Sequence, residues 1–175
     1  MSQHNSKSAS IESNGCRWLV SLMVIGVLAS VVVRPFQARV RINKQWEPRM
    51  YISLINKRQQ AYFAEKSVFS TSVKALRIRI IKTETENYKY SHHTTKKATF
   101  NYGVSKHKDI KSFVGVVFVI PATKVESNAS KNKIRTTSIL CRSDSPGTIK
   151  PPEPTYQNGK IACAIGTIEM PQTYD

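Results

Sequence analysis

Residues Phe113–Ile120 read FVGVVFVI. This is the most apolar of five β-branched and aromatic runs in the C-terminal half, and it is predicted as a central strand. The others are Asn87–His92, Ala98–Val104, Thr136–Cys141 and Lys160–Ile165. In the second of these, Phe100, Tyr102 and Val104 fall on one face by the period-two rule for strands. Two turn-rich stretches separate the runs: a Ser/Asn/Lys loop over Thr123–Lys133, and DSPGTIKPPEPTYQNG over Asp144–Gly159, whose prolines exclude a central strand. The pattern predicts an antiparallel sheet.

Upstream, Arg49–Lys66 carries a helical period. Met50, Leu54, Ala61 and Tyr62, together with Tyr51, Ile55 and Phe63, form the expected apolar stripe, with Lys57, Arg58, Gln59 and Gln60 on the other side. Pro48 precedes this helix and is expected to kink or restart it, because an interior proline removes a backbone hydrogen bond and clashes with the preceding turn. The stripe must bury against something, and the strands supply it. The fold class is therefore α+β, with a long N-terminal helix on a C-terminal antiparallel sheet.

Further upstream lies Trp18–Val33 (WLVSLMVIGVLASVVV), sixteen residues without a charge. As a helix it would reach about 24 Å, close to the hydrocarbon thickness of a bilayer. A membrane anchor, a cleaved secretory signal and a core helix all fit an apolar run. The run ends in Arg34-Pro35-Phe36 with no small-residue cleavage triplet, and Ser21 and Ser30 do not make a polar face, so the anchor is preferred. Residues 1–15 are polar, Ser-rich and without periodicity, which reads as a disordered leader. The expected organisation is a leader at 1–15, an anchoring helix with its basic extension at 16–48, and a globular head at 49–175.

The formal net charge is +16, from 27 basic and 11 acidic residues among 175. The excess is spread as +1 up to Val33, +6 over Arg34–Lys66 and +9 from Ser67 onward. Such a surface favours anionic partners without specifying a fold. Lys96, Lys97, Lys106, Lys108 and Lys111 lie in sequence around Phe100 and Tyr102, a pattern that suits DNA or another polyanion. The competing reading sends both aromatics into the core and leaves the lysines to protect a sheet edge from aggregation.

No catalytic constellation is present: the chain has no G-x-S-x-G, phosphate-cradling Gly-rich loop, H-E-x-x-H or C-x-x-C. His92, His93 and His107 lack matching thiolate or carboxylate partners for a metal and read as solvated. Glu84 and Glu86 alternate along an extended segment and face one side, where Arg77 and Arg79 could pair with them. An enzyme, a cofactor and a small-molecule substrate are not expected. Cys141 and Cys163, with 21 residues between them, fit either a disulfide in an oxidising compartment or two buried thiols.

Several segments carry a family resemblance: INKRQQAYFAEKSVFSTSVKALRIRI, KTETENYKYS, KSFVGVVFVI, TTSILCRSDSPG and GKIACAIGTIEM. Together they resemble the type IV pilin-like G/H family of bacterial proteins over most of residues 36–170. The resemblance implies a pilin-like fold and supports the Cys141–Cys163 disulfide. It also implies cleavage of a leader after Gly15, so that the mature chain begins at Cys16, and a Trp18–Val33 anchor that later packs in a filament core. The family motif is Gly followed by Phe-Thr-Leu-Ile-Glu, whereas Gly15 here precedes Cys-Arg-Trp-Leu-Val. The motif Glu falls on Val20 counted from Gly15, or on Arg17 counted back from Phe36. Neither is acidic, although an intramembrane carboxylate is what seeks the neighbouring subunit's amine.

The implied role is a minor pilin or pseudopilin that works with other pilin-like subunits and assembly machinery in a pilus or secretion filament. The alternative is a membrane-anchored binding module that keeps the fold without assembling. The resemblance places the chain as single-pass in the inner membrane with an extracytoplasmic head, or on a cell-surface pilus. The flanking charges pull the other way: Lys7 and Arg17 precede the run, and Arg34, Arg39, Arg41, Lys44 and Arg49 follow it.

Overall fold

A computed structural model of the chain describes residues 39–40, 44–78, 83–124 and 134–172. The chain divides into two compact units, Met1–Val40 and Arg41–Asp175, and the second is described here. Gly15, Cys16 and the Trp18–Val33 run lie outside the described residues. Among the described residues, no helix is long and apolar enough to cross a membrane.

Residues 44–66 form one helix, α1, which passes through Pro48 without restarting. Its buried positions are Pro48, Ile52, Ser53, Ile55, Asn56, Gln59 and Phe63. This corrects the expected stripe. Leu54 and Ala61 face solvent, while Gln59, expected on the solvated side, is fully buried. Ile55 and Phe63, both expected in the stripe, are buried.

Among the described residues, seven strands follow: β1 (Tyr88–Thr94), β2 (Ala98–Ser105), β3 (Phe113–Pro121), β4 (Ile134–Ser143), β5 (Thr155–Gln157), β6 (Lys160–Ala162) and β7 (Thr167–Met170). Five form an antiparallel sheet in the order β1-β2-β3-β4-β7, and β5 and β6 make a separate hairpin. The strand FVGVVFVI is central, as its composition predicts. Asp144–Gly159 is not wholly a loop, since β5 lies within it; the hairpin turn is Asn158-Gly159, with φ of 52° and 80°. That dipeptide supplies the two positive φ values that a tight two-residue hairpin needs. The run expected as a strand over Lys160–Ile165 ends early: the Thr167 N–H donates to the Ala164 carbonyl at 3.0 Å, Gly166 sits at φ 85°, and Ile165 is fully exposed.

Register assigns the two faces of the sheet. Asn101 pairs with Gly115, which pairs with Leu140, so these share one face with Tyr90, Gly103 and Phe113. This face receives α1, as Ile52 packs with Tyr88, Tyr90, Phe113 and Leu140. Phe100, Tyr102, Val114, Val116, Ile139 and Cys141 fill the other face, where Ile161 and Cys163 from the C-terminal segment cover them. The described part of the second unit is thus an α-helix on a five-stranded antiparallel sheet, with a flap on the far side.

Candidate functional site

Beside the apolar cluster around Ile52, the seam between α1 and the sheet has a stretch that is small and polar. Gly115 lets α1 approach the sheet closely: a Cβ there would lie 2.3 Å from Ile52 Cγ2 and 2.7 Å from Asn56 Nδ2. Asn56 is fully buried; its Nδ2 donates to the Ile139 carbonyl at 3.3 Å, and its Oδ1 accepts from Asn101 Nδ2 at 3.0 Å. Gln172 closes the seam by donating to the Ser138 carbonyl at 3.0 Å and accepting from Asn56 at 3.4 Å. It does so along the stretch of β4 that β7 does not cover, because β7 pairs only with Leu140–Ser143. Buried polar groups of this kind specify one docking geometry, since each mispaired group would be desolvated without a partner.

Gln59 performs the same task one turn later. Its Nε2 donates to the Ser70 carbonyl at 2.8 Å and its Oε1 accepts the Ser70 N–H at 3.0 Å. This fixes the chain as it leaves α1 through Ser67, whose φ is 57°. Replacing Gln59 with alanine leaves both Ser70 backbone groups short of this partner in a buried site. The expected loss is about 2 kcal/mol, read as a shift in the urea unfolding midpoint.

On the opposite face, the Cys141–Cys163 disulfide ties the flap to β4, with the two Cα atoms 5.8 Å apart. The fully buried Cys141 sits among the core side chains of that face. A second attachment is polar: the Tyr102 hydroxyl donates to Glu153 Oε1, and Lys150 Nζ lies 3.8 Å from the centre of the Tyr102 ring. His93 stacks on Phe100 with ring centres 4.8 Å apart, and its Nδ1 is 3.7 Å from the same Glu153 oxygen.

Three tyrosines of the strands are buried in these two layers. Burial holds the phenols of Tyr88, Tyr90 and Tyr102 well above the ordinary tyrosine range, with Glu47 adding to the effect at Tyr90 and Glu153 at Tyr102. A pKa raised by folding contributes stability that is complete below the unfolded value near 10 and is lost as pH rises past it. Stability is therefore expected to fall above about pH 10. In an absorbance titration these three of the seven tyrosines should ionise only together with unfolding.

The five lysines singled out in the sequence do not form one patch. Lys96 and Lys97 lie in the β1–β2 turn, whereas Lys106, Lys108 and Lys111 lie in the β2–β3 connection at the other end of β2. Eight residues of strand separate the two sets by roughly 26 Å. Phe100 and Tyr102, between them, are buried. Lys106 pairs with Glu84 at 2.5 Å, which holds the Glu84 carboxyl below its usual range. Lys106 is thus a partner of Glu84 not expected from the sequence; of the two expected arginines, Arg77 and Arg79, the second lies outside the described residues.

The histidines do not converge. His92 and His93 are adjacent strand residues on opposite faces; His92 Nε2 lies 2.8 Å from the Thr71 carbonyl, and His107 Nε2 lies 3.3 Å from that of Glu86. Among the described residues, no group of three His, Cys, Asp or Glu side chains is placed to hold a metal. A cavity of about 260 Å³ opens between α1, the Val73–Leu76 turn and β1. Two of its polar tips are engaged, His92 with Thr71 and Tyr90 with Glu47.

Sequence reasoning missed Asn56, Gln59, Asn101 and Gly115. A glycine inside the most apolar strand is a mark of close backbone approach. Asn56 and Gln59 lie on the helical row of Ile52 and Phe63, so their spacing rather than their polarity carried the information.

A helix seated on one face of an antiparallel sheet, with a disulfide-tied segment on the other, defines a pilin-like head. The model of the type IV pilin-like G and H family matches residues 45–164, about two thirds of the chain, and the protein belongs to that family. No curated protein and no solved structure matches the chain. The match begins within α1 and ends just past Cys163, so it spans nearly all of the helix, β1 to β6 and the disulfide, and stops short of β7.

Proposed function

We propose that the protein is a membrane-anchored structural subunit, a minor pilin or pseudopilin of a pilus or secretion filament. Family membership carries the reading. The uncharged Trp18–Val33 run supports an anchor, and Gly15-Cys16 supports processing by a prepilin peptidase. The division proposed is a leader at 1–15, an anchor with its basic extension at 16–48 and a head at 49–175. The head would face the extracytoplasmic side, where a disulfide forms readily. Its partners would be other pilin-like subunits and their assembly machinery.

The absence of an acidic residue at both Arg17 and Val20 favours a second reading, an anchored pilin-fold module that does not polymerise. Mass spectrometry of the mature N-terminus, combined with fractionation, separates the two. A chain beginning at Cys16 and recovered in sheared filaments supports assembly. An uncut chain confined to membranes refutes it.

A further inference from the structure

The tertiary structure sorts the head's charges by end. Around the β2–β3 connection, Lys89, Lys106, Lys108 and Lys111 are accompanied by Glu84, Glu86, Asp109 and Asp144, and Lys106 pairs with Glu84. The other end is different. Exposed Lys66 closes α1, exposed Lys96 and Lys97 form the β1–β2 turn, and Arg135 lies in the first residues of β4.

These elements are held together. The Val119 N–H donates to the Lys97 carbonyl at 2.9 Å, Ile120 pairs with Arg135, and the Thr94 hydroxyl donates to the Ser70 carbonyl at 3.4 Å just beyond α1. Among the described residues, Glu65 precedes Lys66 at this end, and Glu153 lies 3.7 Å from His93, three residues before Lys96. Hydroxyls accompany the basic groups: Ser67, Thr71, Thr95 and Thr123 are all exposed there.

We propose that this end of the head binds the phosphate backbone of duplex nucleic acid without reading its sequence. Lysine ammonium groups and hydroxyls are the groups that position a protein on phosphates. The β2-to-β4 width of about 10 Å meets about six phosphate charges of a duplex, at one per ~1.7 Å of axis. A duplex also returns the largest gain from released counterions, because its charges lie closer together than the carboxylates of acidic polysaccharides. A lipid surface fits less well. The exposed apolar side chains at this end, Val68 and Ile134, are isolated aliphatic groups rather than the broad apolar face of a membrane-surface binder. The proposal is independent of whether the chain assembles.

The test is fluorescence anisotropy with the full chain in zwitterionic nanodiscs and a labelled duplex oligonucleotide, between about 50 and 200 mM salt. Binding should weaken steeply with salt. The double variant Lys96→Ala/Lys97→Ala should lose about tenfold at the lower salt and reduce the salt slope by about 2. The triple variant Lys106→Ala/Lys108→Ala/Lys111→Ala should stay within about twofold. Near-UV circular dichroism checks that both variants keep the fold, as all but the half-buried Lys111 are exposed. Three results would each overturn the proposal: no binding at the lower salt, equal losses in the two variants, or stronger competition from alginate or anionic vesicles than from unlabelled duplex.

Discussion

Replacing Gly115 with valine is expected to undock α1 from the sheet. Even the first added carbon would lie 2.3 Å from Ile52 Cγ2 and within 3.0 Å of both terminal atoms of Asn56. Neither neighbour can yield easily. Ile52 is fully buried against Tyr88, Phe113 and Leu140, and Asn56 is held by Ile139 and Asn101. Overpacking in a filled core costs typically 1–3 kcal/mol, and the broken Asn56 hydrogen bonds add about 1–3 more. A total near 4 kcal/mol is a large part of the ~5–15 kcal/mol that holds most domains folded. Urea unfolding followed by circular dichroism should show the midpoint collapse. Gly115→Ala should be milder, and combining it with Ile52→Ala should recover only part of the loss, because Asn56 still meets the new methyl group.

Opening the disulfide should give the second-largest effect. The Cys141–Cys163 link closes a loop of about 22 residues, for which chain entropy gives about 3 kcal/mol. The loss has a particular location. The flap covers Phe100, Val114, Val116 and Ile139, and without the link it is held there by Ile161 and by the Tyr102–Glu153 contact. Cys163→Ser should lower the unfolding midpoint and raise binding of a hydrophobic dye, while leaving α1 helical. Reductant should do the same to the native chain and nothing further to the variant. Cys141→Ser should cost more, because it also places a hydroxyl in a fully buried apolar site.

The polar seam gives these effects a common meaning. An apolar helix face on an apolar sheet can slide by a turn at little cost, whereas Asn56, Gln59 and Gln172 each find partners in one register. For a family whose members work as subunits, a head fixed on its helix presents a constant surface to its neighbours.

The sequence by itself determined the elements. The β-branched runs marked β1 to β4, the apolar FVGVVFVI marked the centre of the sheet, and the helical period marked α1, because strand and helix periodicities are local properties of the chain. It also carried Asn158-Gly159, whose conformational requirement is local too, whereas the need for glycine at 115 arises only when α1 is brought onto the sheet. The tertiary structure alone decided which way α1 faces. Gln59 and Asn56 look like surface residues until Ser70, Ile139 and Asn101 are brought to them from 11 to 83 positions away in the chain. It likewise decided that five lysines close in sequence stand at opposite ends of one strand, where Lys96 and Lys97 join Lys66 and Arg135 and, at the other end, Lys106 pairs with Glu84. Charge acts through space, and its neighbours are chosen by folding.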